Sequence, residues 1–291
     1  MKLLKSVIFI LLLIMISTAV YGVHTDHAQL RKEAQKAYAD GNWKVAYELY
    51  SKLCLELTND PKRVGGDLAQ AYHSLQRLNR MNELDDFREK VISRHSQNWR
   101  LLLEAARIYS DNPHWGYMVA GKFERGYHRG SGKYMNAIQR DRVRALQLMA
   151  QAMPLAANDP ARSEVANFYL EFAGMLLQYG GYNQSWRLQY LTDLTRLPDY
   201  EPGYGHYDHS GIQGAPVDDR GNPVFHHVPE SFQSAASDGE RWRWLLIQAG
   251  AGGKRIEDNA KSILAAFLHQ QFGVQTMAAY GRYFPWGRPV Q

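Results

Sequence analysis

The chain has 291 residues, 45% of them hydrophobic and 22% charged, a balance that supports an ordinary buried core and excludes both the disordered and the polytopic membrane classes. Its formal net charge is +5, but the lysines and arginines are dispersed among acids with no run of like charge. A nucleic-acid surface needs clustered cations, so none is expected.

Lys2 and Lys5 precede a nearly unbroken apolar run from Val7 to Val20. The run suits a signal-peptide core and falls short of the ~20 residues of a spanning helix. Gly22 offers a small residue at a cleavage point. Residues 1–22 are therefore expected to be a signal peptide, and the remainder to be exported to the periplasm or cell envelope. Membrane contact is expected only through this segment, if it stays uncleaved. The single cysteine, Cys54, excludes an intramolecular disulfide and a multi-cysteine metal site. Within Leu53-Cys54-Leu55 it reads as a small buried apolar residue.

Residues 23–112 read as tetratricopeptide-like helical hairpins. Leu30, Ala34, Ala37 and Tyr38 recur at helical spacing, Asp40-Gly41-Asn42-Trp43 breaks the pattern, and Val45, Ala46, Leu49, Tyr50 and Leu53 resume it. Ala34 and Ala46 take the small positions where two helices cross, Gly41 frees the turn, and Trp43 and Tyr50 fill the groove. Further helices are expected over 67–78, 83–93 and 98–109, the last ended by Asn112-Pro113.

Residues 113–284 form a second helical region with two loops. The stretch 114–136, rich in glycine and aromatics, reads as an irregular connector. Helices follow over 136–153 and, after an Asn158-Asp159-Pro160 start with proline in the first turn, on to about Tyr179. The proline-punctuated stretch 198–230 is the second loop, with a small hairpin expected over 216–224. Two more helices are expected over 231–248 and 255–271. Residues 285–291 read as a linker-like tail. The expected fold class is all-α.

No complete active site, and no cofactor, is expected. His206, His209, His226 and His227, with Asp208 among them, are the candidate metal ligands. His-x-x-His on a loop is no recognised ligand spacing, no His-Glu-x-x-His helix occurs, and hydrogen bonds stapling the loop explain the histidines as well. Gly126 to Lys133 has the wrong glycine spacing for a phosphate loop and no preceding strand pattern. There is no Gly-x-Ser-x-Gly elbow. In Asp238-Gly239-Glu240-Arg241-Trp242-Arg243-Trp244, helical spacing puts Asp238 and Arg241 on one face, where salt bridges and arginine–tryptophan stacking are expected.

Several stretches together resemble the N-terminal extension of large bacterial alpha-2-macroglobulin-like proteins. They are Gly121-Lys122-Phe123-Glu124-Arg125-Gly126-Tyr127-His128-Arg129-Gly130, Asp141 to Met149, Gly214 to Val217, Phe225 to Ser231, Ser237 to Trp244 and Gln271 to Met277. The family traps proteases through a bait region and a thioester whose Cys and Gln stand three residues apart. Cys54 is followed by Leu55, Glu56 and Leu57, so that chemistry does not carry over. The resemblance implies the helical front section of such a protein: a non-catalytic interaction or scaffold module of the envelope. Its partner would be another protein or macroglobulin-like domains that follow it covalently. Two other readings stand beside it: a periplasmic metal-dependent hydrolase using the His206–His227 loop, and a glycan-binding module built on the many aromatics.

Overall fold

The computed structural model describes residues 27–178, 188, 190–203, 220 and 227–272. The expected signal peptide, the hairpin at 216–224 and the tail at 285–291 lie outside them. The chain is mainly helical and divides into two compact units after Arg80, whereas the sequence suggested a division at residue 112.

The first unit holds α1 (His27–Ala39), α2 (Trp43–Leu55) and α3 (Val64–Arg77), with α1 packed on α2 and α2 on α3. Gly41 makes the turn at φ +79°, a left-handed conformation that costs glycine nothing. Ala34, Ala46, Leu53 and Cys54 are fully buried, and Tyr50 nearly so. Val45, expected on the apolar face, is instead exposed. A buried polar knot ties α1 to α3. Arg31 donates to both Asp67 oxygens at 2.7 Å, and Asn59 Nδ2 donates to Asp67 Oδ2 at 3.0 Å and to the Leu53 carbonyl at 2.9 Å.

The second unit opens with a short 3-10 turn at Met81–Glu83, followed by α4 (Leu84–Arg94) and α5 (Trp99–Asp111). Asn98 caps α5 by accepting from the Arg100 and Leu101 amides. At the other end the Asn112 side chain donates to the Ile108 and Tyr109 carbonyls.

The expected irregular connector at 114–136 is instead an antiparallel sheet of β1 (Trp115–Val119), β2 (Lys122–Arg125) and β3 (Lys133–Asn136). A short β4 (Glu201–Pro202) completes it in the order β2-β1-β3-β4. The glycines that suggested irregularity serve the strands. Ala120 and Gly121 both take positive φ, as a two-residue hairpin turn requires. Gly116 lies against the Glu124 carbonyl, where an added Cβ would stand only 2.3 Å away. One sheet face packs Phe123, Met135 and Met118 against Tyr200.

Helices α6 (Ile138–Ala157), α7 (Arg162–Leu177), α8 (Asp238–Gly250) and α9 (Lys254–Phe272) follow. Successive helices pack on one another from α5 through α9. Pro160 precedes α7 rather than sitting in its first turn; Asp159 accepts from the Ala161 amide just before the helix begins. The helix expected from 231 starts only at Asp238. Ser231 and Ser234 bond to each other in a turn, and Ser237 caps α8 by accepting from the Glu240 amide. None of the described helices is long and apolar enough to cross a membrane.

Candidate functional site

The densest chemistry of the second unit is a buried ion network where α4, α5, β2 and α6 meet. Arg125, 2% exposed, donates from Nη1 to Asp141 Oδ2 at 2.7 Å and from Nη2 to Asp141 Oδ1 at 2.9 Å. Its Nε lies 3.1 Å from both Asp85 oxygens, and its Nη1 also donates to the Pro113 carbonyl. His114 Nδ1 reaches the same Asp141 Oδ2 at 2.8 Å. Burial alone would raise the Asp141 carboxyl, but the charge of Arg125 and the hydrogen bonds from His114 and Arg125 hold it below its ordinary value.

The network continues along α4. Arg88, fully buried, donates to Asp85 at 2.6 Å and lays its guanidinium over the Tyr109 ring, 3.1 Å from the centroid. Its Nε and Nη1 have no hydrogen-bond partner among the described residues; the ring face takes that place. Tyr109 donates to Glu89, which Arg144 clamps from Nε at 2.9 Å and Nη2 at 2.7 Å. Burial pushes the Tyr109 hydroxyl well up. The carboxylates Asp85, Glu89 and Asp141 are thus each bound by an arginine, an arrangement that holds helices to sheet.

A second node centres on Asp238, 1% exposed, at the start of α8. It accepts from the Thr192 amide at 3.1 Å, from the Thr192 hydroxyl, from Arg241 Nη1 at 3.1 Å and from Arg142 Nη2 at 3.5 Å. Carboxylate at a helix N-terminus is favoured by the helix dipole, and here it also anchors the 190s segment and α6. The expected Asp238–Arg241 pair is present, and Arg243 lies 5.6 Å from the Trp242 ring.

A groove of about 560 Å³ lies between α8 and α9, and a smaller one of about 340 Å³ lies between α7 and the end of α8. Val228, Arg243, Leu246, Ile247, Glu257 and Lys261 are among the residues that line the larger groove. Ile247 and Val228 stand 54% and 50% exposed on its rim. A separate aromatic patch lies on the outer sheet face. Tyr117 and Tyr134, paired in register, meet edge to face at 5.4 Å, and Trp115 stacks on Tyr134.

Of the candidate metal ligands, His206, His209 and His226 lie outside the described residues, and His227 is exposed. Among the described residues no three His, Cys, Asp or Glu side chains converge as a metal would require. Gly126 to Lys133 leads from β2 to β3, the two strands that flank β1, not from a strand to a helix. Burial raises the Cys54 thiol well above its ordinary value. Arg88, Arg125 and His114 were not singled out from the sequence. Arg125 and His114 find their carboxylate on another element, and Arg88, though one turn from Asp85, stacks on Tyr109 of α5, so no local spacing marks them. Neither family models, nor curated proteins, nor solved structures match the chain.

Proposed function

We propose that the chain is a non-catalytic protein-interaction module of the cell envelope, serving an alpha-2-macroglobulin-like protease-trapping system. The observation that carries this reading is the α8–α9 groove, an open apolar surface rimmed by Val228 and Ile247. Exposed apolar patches of this kind mark sites of protein contact. In the same reading α1 to α3 are tetratricopeptide-like hairpins; the fully buried Ala34 and Ala46 and the Gly41 turn support this. Stacked helical hairpins commonly hold peptides or neighbouring domains.

The test begins with the DNA adjoining the codon for Gln291. The expected result is a frame, continuous or neighbouring, that encodes β-sandwich repeats with a Cys-x-x-Gln motif and whose product binds this chain. The contrary result is no such frame, together with zinc held by the purified chain at unit stoichiometry and lost on His206→Ala or His227→Ala. That would favour the metal-dependent hydrolase instead.

A second reading, glycan binding, draws on the Trp115, Tyr117 and Tyr134 patch, since stacked aromatics suit sugar faces. Against it, Trp99, Trp242, Tyr50, Tyr72 and Tyr109 are buried in the cores. Titrating cell-wall glycan fragments while following tryptophan fluorescence separates the two; the interaction reading expects no change.

A further inference from the structure

Arg243 stands apart from the other buried arginines of the second unit. Arg88, Arg125, Arg142 and Arg241 each face a carboxylate. Arg243 is only 9% exposed, yet its Nη1 donates to the Gly239 carbonyl at 3.0 Å and no described carboxylate comes within 4.0 Å of it. Burial disfavours its charge and nearby Glu240 offsets this only in part, so the guanidinium, which makes no direct ion pair, lines the α8–α9 groove with its charge incompletely compensated. Lys261, also in the groove, is matched by Glu257 one turn away on α9, so among the described lining residues Arg243 is the cation without a direct ion pair.

The shape narrows the occupant. A fatty-acid site would enclose most of its ligand, whereas this groove is open, with Val228 and Ile247 half exposed and Leu268 further along α9 also reaching solvent. Two helices flanking an open apolar trough are the usual receptor for a third helix. The segment that follows α9, residues 273–291, carries Arg282 and Arg288 and no Asp or Glu, so it lacks the charge that Arg243 requires.

We infer that the groove seats an amphipathic helix of a partner protein, its apolar residues at three- and four-residue spacing along α8 and α9 and one of its carboxylates on Arg243. This rests on the interaction-module reading and gives it a docking site and a ligand chemistry.

The experiment selects a displayed library of peptides about 16 residues long, a little over four helical turns, on the full chain. The selected peptides are then titrated against the wild type and against Ile247→Glu, which alters the exposed rim without touching the core. The expected peptides carry Asp or Glu among apolar residues at helical spacing. Their affinity should fall about tenfold or more both on Ile247→Glu and on exchange of the peptide acid for lysine. Peptides without an acidic residue, or peptides that bind Ile247→Glu equally well, overturn the inference. So does a library that yields no binder. Oleate bound at unit stoichiometry would assign the groove to a lipid, and self-association lost in Ile247→Glu would assign it to a second copy of the chain. If the macroglobulin-type partner binds wild type and Ile247→Glu alike, the docking site is wrong while the interaction reading survives.

Discussion

Arg125 and Asp141 face each other through two parallel hydrogen bonds of 2.7 and 2.9 Å, each residue 2% exposed, and so clamp strand β2 to helix α6. Paired in this way the two charges satisfy each other, but either one left alone would be a buried charge with only part of its hydrogen bonding. Asp141→Ala should therefore cost about 3–5 kcal/mol, read from urea unfolding. The double variant Arg125→Met/Asp141→Leu should lose clearly less than the sum of its two single changes.

Acid should loosen the same junction. Asp141 and Glu89 both titrate below their ordinary values, despite burial, because Arg125 and Arg144 stabilise their charged forms. A carboxylate depressed in the folded state contributes stability that is complete above its unfolded pKa and is lost as pH falls through the folded one. The urea midpoint should thus drop on acidification below about pH 4. Asp141→Asn should start lower and fall less steeply over that range.

The Cys54 thiol is fully buried, and burial pushes its pKa well up, which suppresses the thiolate. A thiol-specific reagent should leave the native protein unmodified at neutral pH and label it at the rate at which the first unit opens. Rapid labelling of the folded protein would contradict its place in the core.

Gly116→Ala should destabilise the sheet. The new Cβ would sit 2.3 Å from the Glu124 carbonyl oxygen and 2.8 Å from the Phe123 ring, and the backbone contact cannot yield without shifting β2 from β1. A loss of about 1–3 kcal/mol is expected from thermal unfolding, the usual cost of overfilling a packed site.

The helices were legible because their apolar residues repeat at helical spacing. Leu30, Ala34 and Ala37 announce α1, Asn98 announces the start of α5, and Cys54 reads as core from its leucine neighbours. The sheet was not legible. Its strands are short, and its punctuation by Gly116, Gly121 and Gly126 looks like irregular chain until each glycine is seen to permit a close approach or a left-handed turn. The ion network was hidden for another reason: Asp85, Arg125 and Asp141 come together only through the fold, with no spacing to mark them. At the α8 start the opposite holds, since Asp238 and Arg241 are one helical turn apart and their pairing follows from the sequence alone. Arg243 has the same local look as Arg241, and only the structure separates the paired arginine from the one facing a groove.

The most direct measurement of the central claim is photo-crosslinking in the cell that makes the protein. A photoreactive residue would be placed in turn at the exposed positions Val45, Leu57 and Ile247. The interaction-module account predicts a discrete adduct from at least one position, identified by mass spectrometry as an exported protein with β-sandwich repeats and a Cys-x-x-Gln motif. No adduct from any of the three positions would contradict it.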